Sequence, residues 1–153
     1  MFNIVLVAPE IPQNTGTIGR LCVCTDARLH LVEPLGFSLA ESRIRRAGLD
    51  YWRYLDLQVY RSWPDFIGTA RPGHLAFFST KARKSLYDGR FSLGDYLVFG
   101  NETSGLPEVI HTRYRENFYS IPMPGQHARS HNLANAVSIV LYEAYRQIAH
   151  VAE

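Results

Sequence analysis

Three stretches of this chain carry more glycine and polar residues than their local structure needs. NTGTIGR, at 14–20, sets two glycines between Asn14 and Arg20. FGNETSGL, at 99–106, places Glu102 and small hydroxyl residues between Gly100 and Gly105. IPMPGQHARSHNLANAV, at 121–137, runs Met123, Gly125, Arg129, Ser130 and Asn132 into an apolar periodic segment. A glycine pair straight after a buried strand lets backbone approach a bound molecule closely. A carboxylate such as Glu102 accepts hydrogen bonds from ligand hydroxyls or amines. The arginine fork suits phosphate and carboxylate. Each stretch also has a plainer explanation. Asn14 or Thr15 would cap a helix beside a solvated Arg20. Glu102 would be a first-turn helix acid. Ser130 would be an N-cap, with Leu133 opening the core face.

Other chemistries fit less well. PEIPQNTGTIGR follows an apolar strand as a phosphate loop would, yet it holds neither G-x-G-x-x-G nor G-K-[ST]. Among the histidines only His127 and His131 have a spacing suited to a metal, and no third ligand stands out, so no metal is expected. Ser130 lacks the G-x-S-x-G elbow of a hydrolase. Cys22 and Cys24 would point to nearly opposite sides of a helix, which disfavours a disulfide and fits a reduced, cytoplasmic setting. The net charge of +2 does not by itself indicate nucleic acid. The basic residues are nonetheless all arginine except Lys81 and Lys84. Two runs, Arg43, Arg45 and Arg46 (with Arg53 beyond) and Lys81, Arg83 and Lys84, could form a surface for a polyanion; ordinary solvated charge is the alternative.

The elements that must position these groups can be read from apolar patterning. FNIVLVA (2–8) is a continuous branched run stopped by Pro9, the mark of a strand buried on both faces. It is not a signal peptide, having no basic region ahead of it. Further strands are predicted at 29–34, 57–60, 74–80, 95–100 and 117–123. Helices are predicted at 14–26, 38–48 with Ser38 as N-cap, 62–70, 105–114 and 131–149. Alternating strands and helices predict an α/β fold with a mostly parallel sheet and flanking helices. The 153 residues are read as one domain, and no apolar run approaches the ~20 residues of a membrane span. The last helix carries a second apolar face at Ile139, Tyr142 and Tyr145, which predicts a homodimer.

Taken together and in order, the three stretches resemble the three motifs of the SPOUT class of RNA methyltransferases. The resemblance spans essentially the whole chain and departs from the usual pattern at His131, where an apolar residue is common. Within the class the chain is similar to the small TrmL-like tRNA (cytidine/uridine-34-2′-O)-methyltransferases, and RRAGLDYW (45–52) resembles a segment typical of them. The resemblance implies a C-terminal deep trefoil knot, a homodimer formed through the C-terminal helix and knot region, and no membrane association. It implies S-adenosylmethionine as cofactor, S-adenosylhomocysteine as product and tRNA as partner. Its cofactor pocket would be Phe78, Ser79, Gly100, Glu102, Ile121, Met123, Ser130 and Leu133. Its catalytic set would be Asn14, Arg20, Glu102, Ser130 and Asn132. Tested against it are action on another tRNA position or on rRNA, a catalytically silent RNA-binding dimer, and a plain nucleotide-binding α/β module.

Overall fold

The computed structural model describes residues 1–40 and 49–149. The strands are β1 (Asn3–Val7), β2 (Arg28–Val32), β3 (Leu57–Tyr60), β4 (Leu75–Phe78), β5 (Lys84–Ser85), β6 (Tyr96–Phe99) and β7 (Phe118–Ser120). They form one seven-stranded sheet in the order β3-β2-β1-β6-β4-β7-β5. Every pairing is parallel, as the alternation of elements predicts. The helices among the described residues are α1 (Pro12–Thr25), α2 (Trp63–Ala70), α3 (Glu108–Arg113) and α4 (Leu133–Ala149). A 3₁₀ turn at Leu49–Tyr54 lies against α1. No described helix is long and apolar enough to cross a membrane.

The continuous apolar runs follow from this layering. Phe2, Ile4 and Leu6 enter a core with Ile18 and Cys22 of α1 and with Val137, Val140, Leu141 and Ala144 of α4. Val5 and Val7 enter the opposite core with Phe66 of α2 and Ile110 of α3. Both faces of the strand are covered, so its alternate positions are apolar on both sides except Asn3, whose amide is hydrogen-bonded.

Two local expectations are corrected. The N-cap of α1 is Ile11, not Asn14 or Thr15, and it makes no side-chain cap bond. Pro12 starts the helix, having no N–H to satisfy and a φ already suited to the first turn. The cap of α4 is Asn132 rather than Ser130: its Oδ1 accepts the Ala134 N–H at 2.9 Å and the Asn135 N–H at 3.4 Å. The short strand β5 has no two-residue apolar signal and went unpredicted. For the helix expected at 38–48, Ser38 Oγ accepts the Ala40 N–H at 3.2 Å. Residues 41–48 lie outside the described residues, and with them Arg43, Arg45 and Arg46.

The second apolar face of α4 is largely used within the chain. Ile139 and Tyr145 pack on the core, and the Tyr145 ring meets Phe2 edge-on at 5.0 Å. The Tyr145 hydroxyl donates to the Thr25 carbonyl. Tyr142 is left 58% exposed.

One polar group sits deep in the sheet. His30 is fully buried, its Nε2 2.9 Å from Asn3 Oδ1 and its Nδ1 2.8 Å from the Tyr60 hydroxyl. The amide oxygen can only accept, so Nε2 carries the proton and Nδ1 accepts from Tyr60. Burial, reinforced by the charge of Arg28, pushes the His30 pKa down to about 4. Below the ordinary value of 6.5 the unfolded chain therefore binds a proton that the folded chain refuses. Stability is full above about pH 6.5 and falls as the pH drops toward 4, by about 3 kcal/mol from this group. Urea denaturation at stepped pH should show that loss in the wild type, and His30→Gln should remove it from the pH profile.

Candidate functional site

In a parallel sheet all carboxyl ends lie on one side, and ligands bind outside them where the strand order reverses. Here the chain winds outward from β1 through β2 to β3, then fills the other half of the sheet. The contiguous strands β1, β6, β4 and β7 therefore deliver their following loops to one place. The segments after β1, β6 and β7 carry the three glycine-rich and polar stretches, the first of them within α1.

The loops are tied to one another by polar contacts. The carboxylate of Glu102, after β6, accepts the backbone N–H of Glu10 at 3.1 and 3.2 Å and that of Ile11, just ahead of α1. In return, Glu10 Oε1 accepts from the Thr103 hydroxyl at 2.6 Å and the Thr103 N–H at 3.2 Å. Glu102 thus supplies from another loop the negative charge that the start of α1 lacks. The expected first-turn helix acid is instead an acid for a different helix. Asn132 Nδ2 donates to Asn14 Oδ1 at 3.0 Å, joining the start of α4 to the first turn of α1.

The turn after β6 is tight. Asn101 and Gly105 exchange backbone N–H···O bonds at 3.3 Å, and Asn101 Oδ1 accepts the Ser104 N–H at 2.8 Å. A Cβ on Gly100 would lie 2.1 Å from the Gly105 carbonyl carbon, and Gly105 adopts φ +68°. Both glycines are required, one for space and one for backbone conformation.

Between the loops lies a cavity of about 550 Å³. That is within the ordinary range for a small-molecule site, ≈ 300–1,000 Å³. Phe78 and Ser79 enter it from the end of β4, Gly100 and Glu102 from the loop after β6. Ile121 and Met123 enter from the segment after β7, and Ser130 and Leu133 from the approach to α4. Every residue expected in the cofactor pocket lines this one space. Phe78 stacks on Phe99 at 5.1 Å, giving it a flat apolar floor. Asn14 and Asn132 also line it.

Other expected residues go elsewhere. Arg20 is exposed, and its guanidinium lies 4.7 Å from the centroid of the Tyr51 ring, outside the cavity lining. It is about 120° around α1 from Asn14 and about 9 Å further along the axis. Of the second basic run only Lys81 reaches the cavity. Arg83 is exposed. Lys84 sits 4.9 Å from the centroid of the Tyr119 ring and donates to the Glu116 carbonyl, so it braces the sheet edge. Lining residues that the sequence did not single out as a site include His111, stacked on Phe118 at 4.4 Å. The cavity also takes in Arg129 and His131 but not His127. Only the register of α3, with Ile110 turned to the core, could have pointed to His111.

The cavity can hold a flat ring against apolar walls, with backbone and amide groups for its edges and cations for an anionic end. Gly100→Ala should collapse it. The added methyl meets backbone, so we expect about 1–3 kcal/mol of destabilisation in urea titrations and loss of S-adenosylmethionine binding by calorimetry.

Known proteins resemble this chain over nearly its whole length. The model of the SpoU rRNA Methylase family matches residues 1–142. The tRNA (cytidine(34)-2′-O)-methyltransferase of Burkholderia ambifaria is 48% identical over 151 residues, covering 96% of each chain. The protein of the same description from Saccharophagus degradans is 49% identical over 149 residues, covering 97% of this chain and 96% of its own. A structure solved to give insight into the 2-OH methylation of C/U34 on tRNA superposes with a TM-score of 0.93 at 46% identity, covering 98% of this chain and 97% of that one. An AdoMet-bound rRNA methyltransferase from Sinorhizobium meliloti superposes with a TM-score of 0.84 at 27% identity, covering 95% of this chain and 56% of that one. The chain belongs to the SpoU rRNA methylase family.

Proposed function

We propose that this chain transfers a methyl group from S-adenosylmethionine to the ribose 2′-oxygen of the wobble nucleotide, position 34, of tRNA, leaving S-adenosylhomocysteine. The observation that carries the reading is that residues of all three motifs line one cavity: Asn14 of the first, Gly100 and Glu102 of the second, and Met123, Ser130 and Asn132 of the third. The residue set fits the cofactor. Phe78, Ile121, Met123 and Leu133 offer apolar walls for a flat base, and Gly100 leaves its backbone bare. Lys81 and Arg129 offer charge for an anionic group. When bound, the cofactor supplies a methyl group already activated by a positive sulfur.

What remains for the protein is alignment and relief of a proton. Asn14 and Asn132, hydrogen-bonded to each other, fix the polar wall of the cavity, and Ser130 is exposed beside them. Arginine stays protonated at neutral pH. Arg20 therefore acts as an anion holder: it binds the phosphate next to the target ribose and lowers the cost of the developing alkoxide. Glu102 acts through structure, pinning α1 to the loop after β6. The chain works as a single SPOUT domain whose C-terminal part is knotted. It pairs as a homodimer through α4, where Tyr142 offers exposed aromatic surface. A tRNA substrate places the enzyme in the cytoplasm.

Arg20→Ala should abolish methyl transfer to tRNA while leaving S-adenosylmethionine affinity nearly unchanged; turnover near wild type in a tritiated-methyl assay would reject the role. Mapping ribose methylation in RNA from a strain lacking the protein should show loss at position 34 of tRNA. Loss at another position or in rRNA would redirect the reading within the family.

A further inference from the structure

We infer that the 3₁₀ turn at Leu49–Tyr54 is a stacking strip for unpaired nucleotides of the RNA substrate, with Tyr54 taking a base and Arg53 and Arg20 taking the flanking phosphates. Four cation-over-ring pairs occur among the described residues. Two are built into the core. Tyr114, under Arg113, is stacked on Phe77 at 4.8 Å, and Tyr119, under Lys84, meets Phe91 at 5.7 Å. The other two share this one turn: Arg20 over Tyr51 at 4.7 Å and Arg53 over Tyr54 at 4.8 Å. Tyr54 is 66% exposed, among the most exposed large hydrophobic side chains of the described residues.

The turn is held in place from below. Trp52 and Leu55 sit in the notch left by Gly19 on α1, where a Cβ would come within 3.1 Å of the Trp52 ring. The strip is therefore preorganised, and binding does not have to order it. A guanidinium held by a ring face also keeps its in-plane N–H groups available, whereas one held by a carboxylate has spent them. Arginine interleaved with exposed tyrosine is the chemistry that takes single-stranded RNA, base on ring and phosphate on fork. A paired duplex hides its base faces and offers Tyr54 nothing to stack on. Arg20 lies on the same helix as Asn14, which lines the cavity. Arg20 lies about 9 Å along α1 from that wall residue and about 120° around the helix from it.

This inference rests on the proposed action on tRNA, and a binding assay separates the two. A fluorescently labelled anticodon stem-loop is titrated with the intact protein and followed by anisotropy. Tyr54→Ala should weaken binding by about tenfold, and Tyr54→Phe should bind within about twofold of wild type. The same strand annealed to its complement should bind wild type and Tyr54→Ala alike. In methylation assays, Tyr54→Ala should raise KM for tRNA by a similar factor with kcat little changed. Wild-type affinity in Tyr54→Ala, equal loss in Tyr54→Phe, or equal loss on the duplex would each overturn the strip. If the wild type methylates no tRNA but Tyr54→Ala still loses binding to the stem-loop, the strip stands and the methyl-transfer reading falls.

Discussion

The backbone N–H groups of Glu10 and Ile11, just ahead of α1, find their acceptor in another loop, and the structure depends on that link. Ile11 cannot cap, and Pro12 only removes one donor. The acceptor comes from 92 residues away, where Glu102 binds the N–H of Glu10. An uncapped helix start is thereby turned into a link between loops. Glu10 answers by binding Thr103, so the link has two directions. The bond between Asn132 and Asn14 adds the third loop. The walls of the cavity are thus fixed by groups whose first duty is to satisfy orphaned backbone donors and amides.

The buried half of the molecule solves the same problem differently. His30 sits in the sheet with each ring nitrogen matched to one partner, and the neutral form is the one that fits. At the cavity, by contrast, polar groups such as Ser130, Lys81 and Arg129 stay at or near solvent. Polar residues inside the sheet are closed networks, while those at the ends of the strands keep capacity for a ligand.

Much of this was legible in the sequence, and what escaped did so for definable reasons. The five-residue β1 and the helix after it follow from apolar continuity and from Pro9. The lining residues expected of a cofactor pocket were named from the resemblance to the SPOUT motifs, and they meet because their segments leave the same edge of a parallel sheet. The cap positions were misread because Asn14, Ser130 and Asn132 are all good capping residues, and only the tertiary partner decides which of them caps. Glu102 looked like a helix acid for the segment it precedes; the helix it serves is distant in sequence. Arg20 reads as a partner of Asn14, yet the helical repeat turns the two apart. His111 and β5 left no periodic signal of their own.

The sheet order has a consequence for how the molecule comes into being. The contacts that shape the cavity join residues 92 and 118 positions apart. Such contacts carry a loop-closure cost that rises with their separation. No short contiguous stretch of the described residues contains the pocket, whose lining runs from Ile11 to Ala136. A ligand that binds only the completed cavity then draws the whole equilibrium toward the native state by mass action. Occupancy of the site and integrity of the fold are in this protein one quantity measured in two ways.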